Sequence, residues 1–142
     1  MIVVVSRVSN ASIVCDGKPI GSIGKGLVCF VGLEKGDTVD NVRKGAQKVC
    51  EIKVFENDEG RLGLSLKDIE GSVMAVSNFT LAGVVDGRRM SFDNALPFAE
   101  AKPLFEEFCK ALNTEKKVCS VFGSYMEIAM NHDGPVNVIL RT

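Results

Sequence analysis

The sequence has no tryptophan, one tyrosine and one histidine in 142 residues. His132 therefore has no second histidine with which to share a metal, and the usual zinc and iron ligand sets are missing. Cysteine is present but never as Cys-x-x-Cys. Cys15, Cys29, Cys50, Cys109 and Cys119 are scattered and odd in number, which suggests neither a disulfide framework nor a zinc site. Most lie in apolar runs and read as small, reduced core residues. Charge of one sign is also lacking: 17 basic residues face 18 acidic ones, for a net −1. That excludes a protein that grips nucleic acid by bulk electrostatics, leaving only local patches such as Arg88–Arg89 and Lys116–Lys117. No apolar run approaches the length of a membrane span. The opening "MIVVVSRVSNASIVC" is interrupted by Arg7 and carries neither a basic leader nor a cleavage site. No membrane association is expected, and the expected location is the cytoplasm.

What is present fits one soluble domain over residues 1–142, with 46% hydrophobic and 25% charged residues. Residues 2–15 read as extended, "DGKPIG" as a hairpin turn, and "LVCFVGL" as a buried strand. In "GDTVDNVRKGAQKVCE", Val39, Val42, Ala46 and Val49 recur at helical spacing, with Asp37 or Thr38 as the cap. "EIKVF", then Leu62, Leu64 and Leu66, then "EGSVMAVSNFTLAG" continue the strands, and "GVVDGRRMSFDN" reads as a loop. Phe98, Ala101, Leu104, Phe105, Phe108 and Leu112 line a second helix. Pro103 implies either a start near that residue or a kink. "KKVCSVF", "YMEIAM" and "VNVIL" are three further strand candidates, the last two separated by an apparent turn, "NHDGPVN". Strands outnumber helices in a mixed order, so the expected class is α+β: a curved, β-barrel-like sheet with two flanking helices.

Three chemistries can be weighed from residue types. A hydrolytic triad would need Ser77 or Thr80 with His132 and Asp133, but adjacent side chains in extended chain point to opposite faces. Nor is there a Gly-x-Ser-x-Gly elbow. "GSIGKG" lacks phosphate-loop spacing, so no nucleotide cofactor is expected. There remains "SNFT" (Ser77, Asn78, Phe79, Thr80) at a strand end, where backbone N–H groups can face a developing oxyanion. On these residues alone a strand turning polar at the surface explains it better.

The order of these pieces carries more weight than any one of them. "SRVSNASIVCDG", "IGKGLVCFVGLEKGDT", "KVFENDEGRLGLSL", "VSNFTLAG", "GRRMSF" and "DGPVNVIL" together resemble the D-aminoacyl-tRNA deacylases, also called D-tyrosyl-tRNA deacylases, over essentially the whole chain. The resemblance implies a homodimer that hydrolyses the ester between a D-amino acid, or glycine, and the terminal adenosine of a tRNA. No metal and no covalent enzyme intermediate are implied. Backbone N–H groups around Phe79 and Thr80 would hold the carbonyl oxygen while the RNA's terminal 2'-hydroxyl assists the attack. A cis Gly134–Pro135 pair would enter the partner's pocket, where two backbone carbonyls select the hand of the substrate. Phe92 and Met130 would belong to the same substrate-binding region. Arg7, Arg88 and Arg89 are candidates for RNA contact or local packing.

Several positions depart from the family's usual pattern. Asn78 stands for a glutamine, Asn137 for a threonine and His132 for an asparagine. Near the start, Ser6-Arg7-Val8 replaces Gln-Arg-Val, and Met90 follows Arg88-Arg89 where proline is usual. A diverged relative that binds aminoacyl-tRNA without efficient hydrolysis is therefore the alternative function. An ordinary serine esterase is a third.

Overall fold

In the computed structural model, which describes residues 1–142, strand β1 (Ile2–Cys15) serves two cores because it changes partners midway. Its first half pairs antiparallel with β3 (Gly26–Gly32), from Ile2 opposite Gly32 to Val8 opposite Gly26. Its second half pairs with β2 (Lys18–Ile23) across a tight turn in which Asp16 and Gly17 both have positive φ, 48° and 77°. That is the geometry Asp-Gly hairpins favour. Val3 and Val5 face one core, and Ala11, Ile13 and Cys15 the other.

β6 (Ser72–Ser77) runs parallel to β3, and β9 (Lys117–Cys119) parallel to β6. β10 (Met126–Arg141) flanks β1 antiparallel, giving the order β10-β1-β3-β6-β9 with β2 on β1. Both faces of β3 and β6 are covered, as an uninterrupted apolar run requires. Leu27, Cys29, Val31, Val73 and Ala75 face the helices, whereas Val28, Met74 and Val76 face the inside of the curl. The sheet is thus barrel-like and flanked by two helices, as the mixed strand order implied.

Helix α1 (Val39–Glu51) is capped by Thr38, whose hydroxyl accepts from the Asn41 N–H at 3.3 Å while the Asn41 side chain accepts from the Thr38 N–H. This reciprocal box settles the choice of cap. Asp37 instead pairs with the Met1 ammonium at 2.6 Å. Helix α2 (Phe98–Ala111) starts directly after Pro97, and Pro103 lies inside it. The helix does not wait for Pro103. That residue is on the exposed side, where water can serve the carbonyl its missing N–H leaves free, while Ala101, Phe105 and Phe108 bury the opposite face.

Two short hairpins complete the chain: β4 (Phe55–Glu56) with β5 (Leu62–Leu64), and β7 (Val84–Asp86) with β8 (Arg89–Ser91). The second replaces the loop expected over "GVVDGRRMSFDN". Val84 and Val85 are both exposed, so neither strand has the buried alternate face that makes a hairpin visible in sequence.

The largest departure is at the C-terminus. "YMEIAM" and "VNVIL" are one strand, β10, not two separated by a turn. Ser6 pairs with Asn137 and Val8 with His132, so the four residues Asp133–Val136 stand opposite Arg7 alone. This is a bulge, and proline is tolerated because bulged residues leave the ladder. The Gly134–Pro135 peptide is cis, as the resemblance implied.

Candidate active site

β6 emerges from the core at Ser77, whose N–H donates to Ser120 Oγ at 3.1 Å. The next N–H, of Asn78, returns to the Val31 carbonyl at 2.8 Å. The chain then winds into a short 3-10 helix, Phe79–Ala82, with Asn78 as its cap. Asn78 Oδ1 accepts from the Thr80 N–H at 3.2 Å and from Thr80 Oγ1 at 2.6 Å. The first N–H groups of a helix have no acceptor within it. Of the two expected to hold a carbonyl oxygen, Thr80's is occupied by the Asn78 side chain, and Phe79's, as the first of the helix, has no acceptor within it.

Ser77, Asn78 and Phe79 line a largely apolar cavity of about 580 Å³ with Phe30, Tyr125 and Met126 among its other walls. Its size and its few polar groups suit a small aromatic or amino-acid moiety. Phe92 packs edge-on against Phe79, ring centroids 5.1 Å apart, and so braces the motif from the second hairpin. Sequence reasoning missed Tyr125, Phe30 and Ser120. None sits in a local motif, and only the curl of the sheet brings them to Ser77.

No histidine, aspartate or glutamate lines this cavity. His132 is elsewhere, its Nε2 3.0 Å from Asn137 Oδ1. The hydrolytic triad weighed above is therefore not assembled. No group of three or more His, Cys, Asp or Glu side chains is placed to hold a metal ion, and no helix is long and apolar enough to cross a membrane.

Gly134 and Pro135 are exposed on the bulge of β10. A Cβ at Gly134 would fall 2.1 Å from the Val136 nitrogen, so the position admits no side chain without rearrangement. Neither residue lines the cavity. Ile128, which does, is six residues upstream, as much as about 20 Å along an extended strand. Met130 lies between them, opposite Ala11 and partly exposed.

Arg7 fills the hollow behind the bulge. Its Nε donates to the Asp133 carbonyl at 3.0 Å and lies 3.2 Å from Asp133 Oδ2, and Nη1 donates to the Val54 carbonyl at 2.8 Å. Only 7% of the residue is exposed. Of the two roles expected for Arg7, local packing is the one its burial fits. Arg88 and Arg89, by contrast, are exposed beside the turn of the second hairpin and engage no carboxylate.

All five cysteines are free thiols. Burial pushes the Cys29 thiol well above its ordinary range, which keeps it an inert core group. The partly buried Cys109 thiol, beside Cys119, is likewise pushed up.

Curled sheet, capped motif and apolar cavity define a small α+β protein whose cavity is lined mainly by apolar and aromatic side chains, not by a charged catalytic cluster. Residues 4–141 match the family described as D-Tyr-tRNA(Tyr) deacylase, and the chain belongs to that family. It is 40% identical to a D-aminoacyl-tRNA deacylase of Geobacter sulfurreducens, over 98% of this chain and 93% of that protein. It is 43% identical to the Clostridium perfringens protein of the same name, over 99% and 96%. Among solved structures, the c-Myc DNA Unwinding Element Binding Protein superposes with a TM-score of 0.93 at 31% identity, covering 100% of this chain and 99% of that one. A probable eukaryotic D-amino acid tRNA deacylase superposes at 0.82 with 15% identity, a likeness of fold alone.

Proposed function

We propose that this chain hydrolyses the ester joining a D-amino acid, or glycine, to the terminal adenosine of a tRNA, and so returns the tRNA to use. The observation that carries the reading is the "SNFT" turn at the mouth of an apolar cavity, in a chain 40% identical along its length to a protein named for this reaction. Ser77, Asn78 and Phe79 form the reacting end of the pocket, with Thr80 just behind them in the 3-10 helix. Water attacks the ester carbonyl with help from the RNA's 2'-hydroxyl. The Phe79 N–H receives the developing negative oxygen, joined by the Thr80 N–H when the Asn78 amide turns aside. Preorganised N–H donors of this kind are each worth about 2.7–4 kcal/mol of barrier.

Stereoselection falls to the Gly134 and Pro135 carbonyls, acting in a second copy of the chain. Their distance from their own cavity supports action in trans. A homodimer would also cover the exposed apolar side chains of Val84, Val85, Met90, Tyr125 and Ile139. A main-chain filter reads the hand of the α-carbon and tolerates many side chains. Phe92 and Met130 border the substrate, and the exposed Arg88 and Arg89 meet tRNA phosphates. The chain acts as a single domain in the cytoplasm.

Incubation with D- and L-aminoacyl-tRNA tests the reading: the D-amino acid and glycine are released and the L-amino acid is retained. Equal release of both hands refutes the filter, and binding without turnover refutes the hydrolase.

A further inference from the structure

The bulge that carries Gly134 and Pro135 has a neck, formed by the residues where β10 leaves and rejoins its pairing with β1. Those residues are His132, opposite Val8, and Asn137, opposite Ser6. Their side chains meet: His132 Nε2 lies 3.0 Å from Asn137 Oδ1. The same oxygen accepts from the hydroxyl of Ser6 at 2.7 Å, and Ser6 is itself buried in β1. An amide oxygen is an acceptor only, so its approach to the ring requires a proton on Nε2. The His132 ring also stands against the bulge tip, with Cε1 3.5 Å from where a Cβ on Gly134 would lie. Arg7 supports the bulge from behind through Asp133, but nothing in that contact ties the two ends of the neck together.

We propose that His132 and Asn137 are positioning residues for stereoselection. They form a side-chain clasp, anchored on Ser6, that fixes the direction of the Gly134 and Pro135 carbonyls. This inference rests on the filter proposed above. The four residues Asp133–Val136 have no register partner in β1. Without a tie across the neck, the tip carbonyls can swing, and a filter that swings admits the wrong hand. The two side chains touch each other across the neck, so His132 and Asn137 are read as one unit.

The test compares release from D- and L-aminoacyl-tRNA by the full-length wild-type protein and by His132→Ala, Asn137→Ala, the double variant and His132→Gln. One neutral hydrogen bond of about 1 kcal/mol corresponds to roughly fivefold. Each alanine variant is expected to release L-amino acid about fivefold faster relative to D. The double variant should do no worse than either, and His132→Gln, whose amide nitrogen can take the place of Nε2, should recover most of the discrimination. A gain in L-release cannot come from partial unfolding. An unchanged D/L ratio in the alanine variants, or glutamine no better than alanine, overturns the clasp while leaving the filter standing. Wild-type protein that releases both hands equally overturns the filter and the clasp with it. A second readout needs no substrate. His132 is the sole histidine, so nitrogen-15 NMR of the ring gives one set of signals. In the neutral ring the proton is expected on Nε2, with the signal moving in Asn137→Ala. A proton on Nδ1 alone overturns the clasp whatever the activity shows.

Discussion

Replacing Arg7 with methionine separates a structural arginine from an RNA-binding one. Methionine keeps most of the buried stem and removes the guanidinium, so the loss is polar rather than a matter of packing. Three contacts go: the Val54 carbonyl at 2.8 Å, the Asp133 carbonyl at 3.0 Å and the Asp133 carboxylate at 3.2 Å. Breaking a fully buried ion pair by removing one partner costs about 3–5 kcal/mol. The Asp133 side chain is 44% exposed, however, and regains water once released, so its share is small. The two carbonyl bonds dominate, each charge-assisted and worth about 1.5–3 kcal/mol. A total of about 3–6 kcal/mol follows, or a fall of roughly 10–20 °C in Tm for a chain of this size. Urea denaturation and calorimetry measure it directly. The same preparation supplies the contrast. The salt dependence of tRNA binding should keep its slope in Arg7→Met, whereas Arg88→Ala and Arg89→Ala should each flatten it by about 0.7–0.9 while barely moving Tm. A stability loss below about 1 kcal/mol, together with a flattened slope in Arg7→Met, would refute the assignment.

Gly134→Ala places a Cβ 2.1 Å from the Val136 nitrogen. The bulge must shift, so discrimination between D- and L-aminoacyl-tRNA should fall more than tenfold while Tm changes by only a few degrees, since the site is exposed and outside both cores. Asn78→Ala removes a helix cap and frees the Thr80 N–H. It should cost about 1 kcal/mol in urea denaturation without lowering kcat more than severalfold; a collapse of kcat would show that the amide itself contacts the reacting group. At Asp68, the Ser65 backbone N–H at 2.8 Å, reinforced by the Ser65 hydroxyl, holds the carboxyl below the usual carboxylate range. A depressed carboxylate contributes stability that is fully present above the unfolded pKa and is lost as pH falls through the lower, folded one. Asp68→Asn should therefore lower Tm at neutral pH, with the gap to wild type closing in acid below about pH 4; a gap that does not vary with pH would rule out this linkage.

Much of this molecule is determined by local pattern. Helical spacing of Val42, Ala46 and Val49 fixes α1, Asp16-Gly17 fixes the first turn, and the unbroken "LVCFVGL" announces a strand buried on both faces, because each depends on interactions within a few residues. The "SNFT" and "DGPVN" segments could likewise be picked out by residue type and order. What they touch could not. Whether "NHDGPVN" turns back or bulges depends on what faces it, and that is Arg7, more than a hundred residues away in sequence. Arg7 looks like a surface charge in the linear chain and proves to be buried because Asp133 of the bulge offers it a carbonyl and a carboxylate and Val54 a second carbonyl. The separation of Ser77 from His132, the anchoring of Ser77 on Ser120 and the meeting of His132 with Asn137 and Ser6 were decided only by the curl of the sheet. Side chains acquire such partners from strand register, and register is a property of the whole packed sheet rather than of any stretch of its sequence.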